Sequence, residues 1–173
     1  MHTDSPTHSS SARLLRSPAI HIRPLQSVAD ARAFRALNEE WIRALFALEA
    51  KDIEVLGDPE NTILRKGGHV FMVCEGEEAV GCAALIPMPE HTYELSKMAI
   101  SPRLRGRGIG RRLLLHVIGE ARRLGAKSLF LGSSTRLANA VHLYEAVGFL
   151  HVPPAALPPM PYTRADVFMA MEL

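Results

Sequence analysis

The residues best suited to chemistry stand together at Arg105-Gly106-Arg107-Gly108-Ile109-Gly110, followed by Arg111 and Arg112. Three glycines among positions 106 to 110 free the backbone to adopt positive φ and to approach a ligand closely. The run lies between a strand-like alternation and an amphipathic helical pattern, so its last residues open a helix. Unpaired N–H groups at a helix start, with the helix dipole, favour an anion such as a phosphate. The arginines add positive charge around that point. Two better-known phosphate loops do not fit. A P-loop needs Gly-Lys-Ser/Thr, whereas Gly110 is followed by Arg111. A G-x-G-x-x-G turn starting at Gly106 needs glycine where Arg111 stands, and no acidic residue has the right strand context about twenty residues on. On spacing alone, a tight turn with a solvated arginine face remains the alternative.

The elements that must position this turn follow from periodicity. Ala19 to Arg23 alternates and reads as a strand ended by Pro24, and Ser27 with Asp30 forms a capping box. Phe34, Leu37, Trp41, Leu45 and Leu48 recur at three and four, which predicts an amphipathic helix running to about Ala50. Weaker helices or turns cover Asp52 to Leu56 and Asn61 to Lys66, closed by Gly67-Gly68. A hairpin follows: His69 to Glu75, a turn at Gly76-Glu77, then Ala79 to Ile86. Pro87 to His91 is a loop. Thr92 to Ile100 is a third strand, with Tyr93, Leu95, Lys97 and Ala99 on one side and Glu94, Ser96, Met98 and Ile100 on the other. After the glycine turn, Leu113, Leu114, Val117, Ile118, Ala121 and Leu124 make one helical face, stopped by Gly125. Lys127 to Leu131 is a short strand, Leu137 to Val147 a helix stopped by Gly148, and Phe149 to Val152 the start of a strand. A rigid, exposed proline-rich loop from Pro153 to Pro161 leads to a last strand, Arg164 to Glu172. Antiparallel strands come first and a βαβ unit follows, which gives a mixed sheet with helices on its faces rather than a doubly wound fold.

With these elements in place the sequence resembles a known family. Arg105-x-x-Gly108-x-Gly110 is similar to the Arg/Gln-x-x-Gly-x-Gly/Ala motif of the GNAT (Gcn5-related N-acetyltransferase) superfamily. Glu94-Leu95-Ser96-Lys97-Met98-Ala99-Ile100-Ser101-Pro102 looks like the strand that precedes that motif. Asn139-Ala140-Val141-His142-Leu143-Tyr144-Glu145-Ala146-Val147-Gly148-Phe149 looks like the family's later Asn-x-x-Ala-x-x-Leu-Tyr-Glu-x-x-Gly-Phe segment. The resemblance spans roughly Ile20 to Leu173. It implies an α/β fold of the mixed kind, with a central, mostly antiparallel sheet flanked by helices. It also implies acetyl transfer from acetyl-CoA to an amine.

The same resemblance assigns residues. Arg105, Gly106, Arg107, Gly108, Ile109, Gly110 and Arg111 would surround the CoA pyrophosphate. Main-chain groups of Met98, Ala99 and Ile100 would pair with the pantetheine arm, because the family's strand here splays from its neighbour. One of those amides would polarise the thioester carbonyl. Asn139 would bond the CoA arm, or serve only as a polar residue at a helix start. Tyr144 is the candidate general acid, since a phenol with a reference pKa of about 10 can protonate a leaving thiolate; packing is its other reading. Glu94 is the candidate base, with Glu39 and Glu40 as other candidates and a solvated surface role favoured for those two. His116 and His142 read as partly exposed helix residues. The acceptor would meet the regions from Glu39 to Asp58 and from Pro153 to Tyr162. The acidic first region suits a cationic amine, and the apolar second region suits a small or partly apolar one.

Composition bounds the rest. The chain has 173 residues, enough for one domain with a real core. Residues 1–18 read as a disordered tail without the apolar stretch of a secretory signal, leaving 19–173 as a single domain. Twenty Lys and Arg against eighteen Asp and Glu give +2, and the arginine cluster lacks interleaved aromatics, so a nucleic-acid partner is not expected. No apolar run approaches the ~18 residues of a membrane span. Two cysteines, Cys74 and Cys82, exclude a disulfide scaffold and a four-Cys zinc site; they read as small buried fillers in a reducing, cytoplasmic setting, with no metal expected. The partner expected is a small-molecule amine, with a homodimer left open. A non-catalytic acyl-CoA-sensing module on the same fold is the alternative to an enzyme, and the retained Tyr144 and Glu94 favour the enzyme.

Overall fold

The structure, a computed structural model, describes residues 18–157 and 160–173. The tail expected at residues 1–18 lies outside them except for Pro18, as do two residues of the proline-rich loop. In chain order the elements are β1 (Ile20–Pro24), α1 (Val28–Leu45), α2 (Ala50–Gly57), α3 (Pro59–Thr62), β2 (His69–Glu75), β3 (Glu78–Met88), β4 (Thr92–Ile100), α4 (Ile109–Arg123), β5 (Ser128–Ser133), α5 (Ala138–Val147), β6 (Leu150–His151) and β7 (Val167–Glu172). The strands form one seven-stranded sheet in the order β1-β2-β3-β4-β5-β7-β6. Only β4 and β5 run parallel; every other neighbouring pair is antiparallel. This is the mixed α/β fold with a mostly antiparallel sheet that the sequence implied.

Two cores lie on the two faces of the sheet. Phe34 and Ile42 of α1 and Val55 and Leu56 of α2 pack against Val70, Met72, Cys74, Cys82 and Ala84 on one face. Leu113, Leu114, Val117, Ile118 and Ala121 of α4, with Val141 and Tyr144 of α5, pack against Phe71, Val73, Ala83 and Leu85 on the other. The strict alternation of β2 and the three–four spacing of α1 and α4 sort the side chains between these layers. Cys74 and Cys82 are buried and unpaired, and burial pushes the Cys82 thiol up to about 12.

Three local expectations are corrected. α1 stops at Leu45 rather than near Ala50. Glu49 instead precedes a new helix, its N–H bonded to the Asp52 carboxylate at 2.9 Å, and Leu48 reaches the core from the connecting turn. The capping box at Ser27 is half made: Ser27 Oγ accepts from the Asp30 N–H, but the Asp30 carboxylate turns to the Gln26 N–H and the Arg23 guanidinium. β3 also continues past Ile86 through Pro87 to Met88. The β2–β3 pairing stops at His69–Leu85, so Pro87 has a strand on one side only and its missing N–H is tolerated.

The largest departure is in β4. Between the pairs Cys82–Ala99 and Ala84–Ser96, β4 holds one residue more than β3, a bulge. Lys97 there has φ +54, the left-handed region, which a non-glycine residue enters at a cost of about 1–2 kcal/mol. The extra residue breaks the expected two-sided alternation. Tyr93 and Leu95 share a face with Met98 and Ile100, against α4 and α5, while Lys97 and Ala99 face α1 and α2.

Candidate active site

β4 and β5 pair for only three residues, Thr92–Glu94 against Ser128–Phe130. Beyond Glu94 they part. β4 stays on β3 and β5 stays on β7, so Leu95 to Ile100 has no strand on its β5 side. A cavity of about 740 Å³ opens in this gap. Its walls include Glu94, Met98, Ala99, Ile100, Asn139 and Tyr144, and at one end Arg105, Gly106, Gly108, Ile109, Gly110 and Arg111. The fold thus gathers into one cleft Glu94, Tyr144 and the residues that the resemblance assigns to acetyl-CoA, with one exception. Arg107 lies outside it, exposed, with its guanidinium 3.9 Å from the Glu75 carboxylate.

That end is built by backbone. Gly106 and Gly108 both have φ +75, and a Cβ on either would meet no protein atom within 4 Å. Gly108 is the N-cap of α4, and no side chain caps that helix. The first-turn N–H groups of a helix have no intrahelical partner, so Ile109, Gly110 and Arg111, which line the cleft, bring backbone donors to it. The helix start is fixed by its core face instead. Burying Ile109, Leu113, Leu114, Val117 and Ile118 is worth about 1.5–3 kcal/mol each, against about 1 kcal/mol for a side-chain cap. Open donors at a dipole's positive end, flanked by Arg105 and Arg111, fit a pyrophosphate.

Tyr144 is buried on α5 with its ring edge-on to Phe149, and burial pushes its hydroxyl up to about 12. It stays protonated throughout the neutral range. Glu94, half-buried on β4, has its carboxyl raised above the usual range by burial, against the opposing pull of Lys97 and Lys51. It makes no hydrogen bond or ion pair among the described residues. Asn139 is exposed in the first turn of α5. Glu39 is paired with Arg35 and Arg43, which leaves it spent on its own helix. His142 is exposed, while His116 packs edge-on against Phe71.

Sequence reasoning missed an ionic network beside Glu94. Lys97 Nζ donates to Asp52 Oδ1 at 2.7 Å and to the Tyr162 hydroxyl at 2.9 Å. Arg164 grips Asp52 with two bonds, at 2.6 and 2.8 Å, and reaches Glu49 at 3.0 Å. Its guanidinium also stacks near Tyr162 and Trp41, 4.5 and 5.7 Å from their ring centroids. Asp52 is fully buried. Burial alone would raise its carboxyl, but the bonds from Arg164, Lys97 and the Glu49 N–H hold it at about 2. Of the acidic stretch that seemed to suit a cationic acceptor, Asp52 and Glu49 are therefore spent on Lys97 and Arg164, and Glu54 is bonded to Lys51 at the surface. Spacing held the signal: Asp52, Val55 and Leu56 sit at i, i+3 and i+4, which places Asp52 on the inner face of α2.

The comparisons with known proteins agree with this geometry. A model of the acetyltransferase (GNAT) family matches residues 32–149. The N-acetyltransferase YjgM of Escherichia coli (strain K12), itself uncharacterised, is 31% identical over 146 residues, covering 79% of this chain and 84% of that protein. An acetyltransferase structure from Streptococcus agalactiae superposes with a TM-score of 0.78 at 20% identity, covering 89% of this chain and 98% of the other. The structure of yncA from Salmonella typhimurium with its cofactor acetyl-CoA superposes with a TM-score of 0.70 at 22% identity, covering 89% and 94%. At those identities the structural likeness is one of fold. The family model, however, spans well over half of the sequence, and the Escherichia coli relative is matched over most of its length. The chain belongs to the GNAT acetyltransferase family and is an acyltransferase.

Proposed function

We propose that the protein transfers the acetyl group of acetyl-CoA to a primary amine of a small molecule, by direct attack with both substrates bound. The observation that carries this reading is that the cleft holding the open helix start also holds Glu94 and Tyr144. The N–H groups at Gly108 to Arg111 hold the pyrophosphate, the open edge of β4 at Met98 to Ile100 pairs with the pantetheine arm, and Asn139 bonds that arm. One of the β4 amides polarises the thioester carbonyl. The acceptor nitrogen bonds to the acetyl carbon as the C–S bond breaks. Its proton leaves toward Glu94, directly or through water. The departing sulfur receives a hydrogen bond, and then a proton, from Tyr144, which recovers its own from solvent.

The raised Tyr144 value refines this last role. A thiolate with a reference near 8.5 is a weaker base than a phenolate whose acid stands at about 12. The hydroxyl therefore helps chiefly by donating to sulfur while charge develops there. The test is thiol release from acetyl-CoA in the presence of mixed primary amines; absence of amine-dependent thiol overturns the proposal. In the same assay Tyr144→Phe, which removes only the hydroxyl, is expected to lower turnover roughly 10²-fold with acetyl-CoA affinity kept. Full turnover in this variant returns Tyr144 to packing alone.

Glu94 should set the pH dependence. A base must be ionised, so the rate should climb through a limb lying above the ordinary carboxylate range. Glu94→Gln is expected to lower the rate roughly 10²-fold near neutral pH, with the deficit shrinking at high pH as free amine dominates. Its effect on stability has the opposite sense. A carboxyl raised in the folded state disfavours folding once ionised, so stability falls as pH rises through that value. Glu94→Gln should therefore have a urea midpoint at neutral pH equal to or above that of the parent. A pH–rate profile parallel to the parent's rules out the base role.

A further inference from the structure

The charges around the acceptor half of the cleft cancel, with two exceptions. Lys97 and Arg164 face Asp52 and Glu49, two cations against two carboxylates: Lys97 is bonded to Asp52, and Arg164 to both acids. Lys51, whose field also reaches Glu94, is bonded to Glu54. Glu94 is the first exception, as it has no ion-pair partner among the described residues. Arg136 is the second. Its guanidinium lies over the Phe46 ring, 4.8 Å from the centroid, and forms no ion pair among the described residues.

The loop that carries Arg136 is tied to the acceptor side. The Thr135 N–H and hydroxyl donate to the Asp166 carboxylate at 2.8 and 2.9 Å, two residues beyond Arg164. Arg136 lines the same cavity as Glu94, together with the apolar and aromatic side chains of Trp41, Leu45, Met160 and Tyr162. The other unpaired cations in that lining, Arg105 and Arg111, flank the glycine turn instead.

We propose that the acceptor is an amino carboxylate with an apolar or aromatic body, its amine meeting Glu94 and its carboxylate held by Arg136. Arg136 is exposed at the cleft over the Phe46 ring and makes no side-chain hydrogen bond among the described residues, so its fork of donors is open to the two oxygens of a carboxylate. The apolar lining takes the remainder of the molecule. This inference rests on the acetyl-transfer reading and names its substrate class.

The experiment compares thiol release from acetyl-CoA with three series: apolar and aromatic amino acids with the amine at the α or ω position, their carboxamides, and the amines lacking the carboxylate. The carboxylates are expected to exceed the matching carboxamides in kcat/KM by roughly 10- to 100-fold, the worth of a charged hydrogen-bonded contact. Arg136→Gln should erase that preference, mainly through KM, with the Kd of acetyl-CoA unchanged. Arg136→Lys, which keeps the charge without the fork, should restore part of it. Carboxamides or simple amines used as well as carboxylates overturn the inference and leave acetyl transfer standing. A preference that survives Arg136→Gln overturns it too. So does a raised acetyl-CoA Kd in that variant, since the guanidinium then serves the co-substrate. No thiol from any series overturns both readings.

Discussion

Asp52→Asn is expected to destabilise the fold by about 3–5 kcal/mol, the cost of leaving buried ions without their partner. Among the described residues Asp52 is the only carboxylate paired with both Lys97 and Arg164, and its side chain is fully buried. The amide offers one neutral oxygen where two cations need an anion. In a chain of this size the loss lowers Tm by roughly 10 °C, and urea denaturation measures it directly. A drop below about 1 kcal/mol would show that the network is far better solvated than its burial implies. Adding Lys97→Met to Asp52→Asn should recover part of the loss, because one stranded charge goes with its partner. The pH dependence follows in sign. With Asp52 held at about 2 in the fold and near 3.9 when unfolded, its contribution is complete above pH 4 and is lost as pH falls toward 2.

Gly108→Glu should abolish acetyl-CoA binding while the protein stays folded. Folding is spared because a Cβ at Gly108 meets open space, so the penalty is the left-handed φ of +75, about 1–2 kcal/mol. Binding is not spared. The new carboxylate enters the place where the unfilled N–H groups of α4 await an anion. Losing two charge-assisted hydrogen bonds weakens binding by roughly 10²- to 10⁴-fold before repulsion is added. Gly108→Ala shares the backbone strain without the charge. It should keep measurable affinity by calorimetry, which separates the two causes. A folded Gly108→Glu that binds acetyl-CoA as the parent does would remove the turn from the cofactor site.

Much of the glycine-turn side of the candidate cleft was legible in the sequence, because its features are local. The run from Arg105 to Arg111 carries glycine spacing, charge and a helix start within seven residues, and periodicity alone gave the bounds of β4 at Thr92 and Ile100. The acceptor half was not legible, because its contacts join residues far apart in the chain. Lys97 meets Asp52 across 45 residues and Arg164 meets Asp52 across 112. No short window contains both partners, so Asp52 and Glu49 read as part of an acidic region suited to a cationic amine. The bulge at Lys97 was hidden for another reason. Burial along β4 still alternates through it, although the side chains have changed faces.

The network also bears on the order in which the cleft is completed. Closing a 112-residue loop rather than a 45-residue one costs only about 0.8 kcal/mol more, so entropy does not set the sequence of events. Charge does. Until the segment bearing Arg164 docks, Asp52 and Glu49 stand against Lys97 alone, an excess of negative charge that resists dehydration. Arrival of the C-terminal segment neutralises it and brings Met160 and Tyr162 to the cleft in the same step. The parts that would hold the co-substrate, from Met98 to Arg111 and at Asn139, all precede that segment in the chain. If the chain folds as it is made, the acceptor side of the cleft is expected to be completed last, with that neutralisation as its final step.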